Sequence, residues 1–334
     1  MKKIIVLSLF VTSTLFASLQ QDAKQAGLQA IPKNKKALNK LINNPKNKLT
    51  KDKIKLGKIL YFDPRLSKSG LISCNTCHNL GLGGTDGVSA AIGHKWTANP
   101  HHLNSPTVYN AVFNTVQMWD GRFKDLEEQA GGPVQAGPEM AAPKELVLKR
   151  LNSIPAYVKA FKKVFGEVSF YNMQKAIAAF ERTLVTPSAY DRFLEGNNKA
   201  LSNNAKRGLK TFIDKGCVSC HNGVGLGGTM QSFPVMGTFK HGNVGDFKGD
   251  KNGMVKVPTL RNITQTAPYF HNGTVWDLAE AVQIMAQVQL GTTLSKQETK
   301  DIVAFLYALT GNKPTVTYPQ LPASRLSTPK PDAN

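Results

Sequence analysis

The chain has 334 residues, with 42 Lys and Arg against 22 Asp and Glu and a formal net charge of +20. That length holds two domains of ordinary size, each with a core of its own. So basic a surface suits an acidic partner. Nucleic acid is excluded as a partner for want of any nucleic-acid motif, and past the first twenty residues no apolar run is long enough to span a bilayer.

The chain opens on Met1-Lys2-Lys3, an uncharged apolar run from Ile4 to Phe16, and the small residues Ala17 and Ser18. A basic start, a short apolar stretch and a small-residue end read as a secretory signal over 1–17, which places the mature protein in the periplasm. Between Lys33 and Lys58, ten lysines face one acid, Asp52. Such a run is either a solvated surface or a steering field for an acidic docking partner.

All four cysteines fall in two motifs, Cys74-Asn75-Thr76-Cys77-His78 and Cys217-Val218-Ser219-Cys220-His221. C-x-x-C-H is the attachment pattern of c-type haem: two thiols add to the two vinyl groups of the porphyrin, and the next residue, a histidine, ligates the iron. A disulfide framework, a redox dithiol or a zinc site would use the same thiols. Each of those readings leaves both trailing histidines unexplained, so two covalently bound c-type haems are expected.

The duplication extends beyond the motifs. Residues 74–85 read CNTCHNLGLGGT and 217–229 read CVSCHNGVGLGGT; Pro106-Thr107-Val108-Tyr109-Asn110 matches Pro258-Thr259-Leu260-Arg261-Asn262. Helical spacing places Met173, Ala176, Ile177, Phe180 and Leu184 on one closing helix, and Ile302, Phe305, Leu306 and Leu309 on another. A further helix is expected from Asn203 to Lys215, ended by Gly216. The expected fold is mostly α: two cytochrome c-like haem domains with long Gly-rich loops, over 18–186 and 187–311. A Pro-rich tail, 312–334, is free to pack back on the first domain.

The remaining axial ligands decide what such a chain does, because an iron with an openable side can carry out chemistry and one with two strong ligands moves electrons. In the second half the candidates are Met230, Met236, Met254, Met285, His241 and His271. In the first they are His94, His101 and His102, with Met118 and Met140 behind them. Spacing alone does not choose among these residues.

A series of separated motifs carries a resemblance. Gly57 to Ser67 reads GKILYFDPRLS; it is followed by Gly83-Gly84-Thr85-Asp86, Ile92-Gly93-His94, Asn104-Ser105-Pro106-Thr107, Met118-Trp119-Asp120-Gly121-Arg122, Gln129, Glu139-Met140, Pro268-Tyr269-Phe270-His271-Asn272-Gly273 and Ile284-Met285. In order and spacing, across nearly all the mature chain, this resembles the bacterial dihaem cytochrome c peroxidase family.

The resemblance implies a division of labour. The C-terminal haem, ligated by His221 and Met285, would be the high-potential centre, with His271 beside it. The N-terminal haem would be the low-potential peroxidatic one, with His78 proximal and His94 as a displaceable distal ligand. Trp119 would lie on the electron path between them. Glu139 would be the acid–base group and Gln129 would orient peroxide. Calcium would bind between the domains through Asn104, Thr266 and Pro268, the last two through backbone carbonyls. The implied activity reduces hydrogen peroxide to water with electrons from a small cytochrome c or cupredoxin, in a homodimer. The alternatives are a dihaem electron-transfer cytochrome without peroxidase activity, and a related dihaem enzyme that oxidises a protein substrate.

Overall fold

The computed structural model describes residues 19–334, so the expected signal over 1–17 lies outside the described residues. The longer helices are α1 (Lys35–Ile42), α2 (Lys51–Tyr61), α3 (Lys144–Ser153), α4 (Pro155–Phe165), α5 (Phe170–Glu181), α6 (Asn203–Asp214), α7 (Leu278–Leu290) and α8 (Lys296–Ala308). The one sheet among the described residues is antiparallel β1 (Met230–Ser232) and β2 (Met254–Lys256), with Met230 opposite Lys256. The fold is mostly α, in two cytochrome c-like halves.

In the first half, Thr50 caps α2 by accepting the Lys53 amide at 3.2 Å, and Leu56, Leu60 and Tyr61 form its buried face. That face crosses α5, where Met173, Ala176, Ile177 and Phe180 are buried as their helical spacing predicts. The crossing is close: a Cβ at Gly57 would lie 1.8 Å from the Ala176 carbonyl oxygen. Tyr157 and Phe161 of α4 and Leu151 of α3 complete this core.

The second half repeats the scheme. α6 precedes its Cys-x-x-Cys-His motif and crosses α8, and a Cβ at Gly208 would lie 1.8 Å from the Asp301 carbonyl oxygen. Leu209, Phe212, Ile302, Phe305 and Leu306 fill this core. Glycine at both crossings lets the helix before the haem motif lie directly on the helix that closes the domain.

The chain ends are exchanged between the halves. Leu19, Ala23 and Leu28 pack in the second core, and the Ile31 amide donates to Asp191 Oδ1 at 2.7 Å. That carboxylate is held by Arg261, fully buried, in a bidentate pair at 2.8 and 3.0 Å. At the other end, the Tyr318 ring sits 4.7 Å from that of Phe62. Arg150 of α3 is buried and, among the described residues, forms no ion pair with a carboxylate. It donates instead to the carbonyls of Arg65, Ser67 and Lys68 on its own domain and to those of Pro329 and Lys330 on the tail. Guanidinium has five N–H donors, enough to tie two strands of chain together in this way. The linker is also interior: Thr186 and Ser188 are buried, and Ser188 bridges to Gly311.

Candidate functional site

Cys74–Cys77 forms a single helical turn, and the Ser73 amide donates to the Thr76 hydroxyl at 2.9 Å where the turn starts. The turn delivers His78, whose amide donates to the Cys74 carbonyl at 2.9 Å. His78 Nδ1 lies 2.9 Å from the Pro106 carbonyl, and the Tyr61 hydroxyl donates to the His78 carbonyl at 2.6 Å. With Nδ1–H committed to a carbonyl, the ring presents an Nε2 lone pair, the form a metal needs. Burial lowers the His78 pKa and keeps the ring neutral.

No disulfide joins the four cysteines. Burial raises the pKa of Cys74, and pushes Cys77 up to about 12 and Cys217 up to about 11. A redox dithiol requires the opposite shift. Among the described residues no group of three or more His, Cys, Asp or Glu side chains is placed to hold a metal ion, which argues against the zinc reading. Unpaired, shielded thiols beside a neutral imidazole fit thioether attachment of a macrocycle.

His94 is 8% exposed although it follows a Gly- and Ala-rich loop. Its amide donates to the Glu139 carbonyl at 2.8 Å. A Cβ at Gly93 would lie 2.0 Å from the Pro138 carbonyl oxygen, so the two loops touch along their backbones. His94 Nδ1 is buried without a hydrogen-bond partner. An orphaned ring nitrogen is costly unless some further group completes the site. The half-buried Glu139 carboxylate also has no hydrogen bond; burial raises its pKa, opposed by Arg122. It lies close enough to Cys77 to raise that thiol's pKa as well. Of the other first-half candidates, His101 pairs with Asp246 at 2.9 Å and Met140 is core. Gln129 ends the short helix Leu126–Gln129, and among the described residues its side chain makes no hydrogen bond.

The second motif lines a cavity that opens to solvent, together with Met285 of α7. His221 is buried, its Nδ1 3.2 Å from the Leu226 carbonyl, and burial drives its pKa down to about 4. Met230, Met236, Met254 and His241 do not line this cavity, and Met236 is 65% exposed. Met285 and His271 do line it, so the fold narrows a choice that spacing left open. The cavity's apolar wall of Phe212, Leu260, Ile263 and Leu306, with the paired cysteines and His221, fits a haem.

The same cavity extends to the first half, where Asn104 to Thr107 and Trp119 form part of its wall. Trp119 is 7% exposed, donates Nε1–H to the Asn104 carbonyl at 2.9 Å, and meets the His271 ring edge-on at 6.3 Å. The Asn104 amide donates to the His271 carbonyl at 2.8 Å. Two residues beyond Asn104, the Pro106 carbonyl accepts from His78. One short stretch of backbone therefore joins Trp119 to the histidine of the first motif. Burial and Lys248 push the His271 pKa down to about 4, so this ring is neutral too.

Asn104, Thr266 and Pro268 all line this cavity. Asn104 Nδ2 donates to the Val88 carbonyl at 2.8 Å, and the Thr266 hydroxyl donates to the Ile263 carbonyl at 3.1 Å. Left over are an amide oxygen and two carbonyls, neutral hard donors of the kind calcium takes. Tyr61, Arg122 and Lys256 belong to the site although sequence reasoning gave them no role. For Lys256 a signal existed: the duplicated Pro-Thr-x-x-Asn frame sets it opposite Asn104.

Residues 51–199 match the family described as di-haem cytochrome c peroxidase, and residues 205–310 match cytochrome c. The chain is 46% identical to cytochrome c551 peroxidase of Pseudomonas aeruginosa over 96% of this chain and 95% of that one. It is 48% identical to the protein of that name from Nitrosomonas europaea, over 84% and 86%. Methylamine utilization protein MauG of Methylorubrum extorquens is 34% identical over 92% of each chain. The solved structure of a MauG-like protein associated with microbial copper homeostasis superposes with a TM-score of 0.70 at 27% identity, over 80% of this chain and 92% of that one.

Proposed function

Because the chain belongs to the di-haem cytochrome c peroxidase family, we propose that hydrogen peroxide is reduced at the N-terminal haem while electrons from a small donor protein enter at the C-terminal one. The protein is a cytochrome-c peroxidase with two c-type haems. When bound, each haem supplies a redox-active iron. Cys74, Cys77 and His78 would hold the first, and Cys217, Cys220, His221 and Met285 the second.

A single observation carries the assignment of the reaction site: the His94–Glu139 backbone hydrogen bond. It sets an unpartnered imidazole and an unpartnered carboxyl on touching loops beside Cys77. His94 would be the side chain that holds the first haem's iron on its open side and can give way to peroxide, a role that rests on the family resemblance. Glu139 moves a proton between the two oxygens of peroxide; burial raises its pKa above the ordinary carboxylate range, which favours a carboxyl that can hold and return a proton. Gln129 orients peroxide; its support is the family resemblance. Trp119, hydrogen-bonded to the backbone that also holds His78, carries electrons between the halves.

Calcium at Asn104, Thr266 and Pro268 would tie the halves together at this junction. Export to the periplasm rests on the N-terminal stretch; among the described residues no helix is long and apolar enough to cross a membrane. A homodimer, and a cytochrome c or cupredoxin as donor, rest on the resemblance. The decisive test is Glu139→Gln. Both haems should attach and reduce normally while peroxide turnover falls by roughly 10²- to 10⁴-fold; undiminished turnover would remove Glu139 from the mechanism.

A further inference from the structure

Lys256 ends β2 with 3% of its surface exposed, and its side chain lines the C-terminal cavity with Cys217, His221 and Met285. Its backbone amide donates to the Trp119 carbonyl at 2.7 Å, and its Nζ stands 5.6 Å from the centre of the Trp119 ring. Among the described residues this ammonium has no carboxylate and no hydrogen-bond acceptor. The other titratable groups nearby do not neutralise it. His271, beyond Trp119, is kept neutral, and Asp120 is paired with Arg122 at 2.7 Å.

An ion taken out of water without a partner costs several kcal/mol, so a cation in this position implies an anion in whatever fills the cavity. C-type haem carries two propionate carboxylates. The duplication sharpens the point: the first-half counterpart of Lys256 is Asn104, which is neutral. The two halves therefore differ by one buried positive charge at equivalent places, with Trp119 touching both.

We propose that Lys256 is a positioning residue whose ammonium is the fixed counter-charge to a propionate of the C-terminal haem, and that this charge helps make that haem the easier one to reduce. A nearby cation stabilises the electron-rich state, so removing it leaves a carboxylate uncompensated and lowers the potential. The inference rests on the C-terminal haem being the electron entry.

The test is equilibrium redox titration of the loaded protein, following each haem by its own spectrum. In Lys256→Gln the C-terminal haem should become at least tenfold harder to reduce, a shift of about 59 mV for one electron. Lys256→Arg should keep the native potential, and the N-terminal haem should not move. An unchanged C-terminal potential in Lys256→Gln would overturn the pairing. If that variant does not load haem, the wild-type potential is read from pH 7 to 9.5. A lysine held charged by a carboxylate gives a flat line; burial alone pushes Lys256 down to about 8, so a fall centred there would overturn the pairing. Failure of the underlying reading looks different: the C-terminal haem of the wild type would then be the harder of the two to reduce.

Discussion

Asn110 and Asn262 donate their side-chain Nδ2 groups to the same hydroxyl, Thr186 Oγ1, at 2.7 and 2.9 Å. They occupy the same place in the two copies of the Pro-Thr-x-x-Asn frame. Both are fully buried and both adopt left-handed backbone, with φ of 62° and 61°, a conformation asparagine tolerates better than most residues. Their oxygens are used as well: Asn110 Oδ1 accepts the Thr186 amide and Asn262 Oδ1 the Gly311 amide, each at 2.9 Å. The linker thus runs along the axis of the duplication and is bonded to both halves. Such a joint holds two redox centres at one separation.

Thr186→Val should therefore destabilise the protein well beyond a typical surface change. It keeps the shape but leaves two buried amide donors unpaired, at about 1–3 kcal/mol each. Thr186→Ser, which restores the oxygen, should recover most of the loss. Denaturant titration of the loaded protein reads both; equal midpoints for Val and Ser would show that the shared hydroxyl contributes little.

The glycine crossings make a second prediction. Gly57→Ala and Gly208→Ala each force a methyl to within 1.8 Å of a helix carbonyl, so a helix must move. Each should cost at least about 1–3 kcal/mol, and Gly208→Ala should also impair haem attachment in the second half, since α6 leads straight into Cys217. Gly137→Ala is the control, with nothing within 4 Å of the added methyl. Haem content per chain and thermal midpoints distinguish the three; comparable values would mean the crossings are looser than drawn.

Much of this architecture was legible in the sequence because it is encoded locally. Cys-x-x-Cys-His spacing is dictated by covalent chemistry, and Met173 to Leu184 repeats at the helical period. The burial of His94 was not legible: its flanking glycines and alanines suggest an exposed loop, and only contact with Pro138 and Glu139 buries it. Nor does periodicity show that Leu19 to Leu28 completes the second core, or that the tail is gripped by Arg150. Those contacts join residues far apart in the chain. The rank of Met285 over Met230, Met236 and Met254 likewise emerges only when a cavity exists to be lined. Gln129 rests on the resemblance alone.

Glu181 gives the last prediction, a dependence on pH. It ends α5 fully buried beside Cys74 and Tyr61, with Oε2 unpartnered, next to the Arg182–Glu127 pair at 2.6 Å. Burial pushes its pKa up to about 8; Arg182 opposes the shift and Glu127 adds to it. An acid with a raised pKa binds its proton more tightly in the folded state. Its contribution to stability is therefore complete below the ordinary glutamate range, is lost as pH rises from there toward 8, and levels off above. Over that window the unfolded chain ionises while the folded one does not, and linkage sets the slope at up to about 1.4 kcal/mol per pH unit. Glu181→Gln removes this group's titration while keeping its shape. The stability difference between variant and wild type should thus move in the variant's favour from pH 5 to 8 and then stay constant. Urea unfolding of the loaded proteins at half-unit steps reads it directly, and two parallel profiles would mean that Glu181 is already ionised in the folded protein.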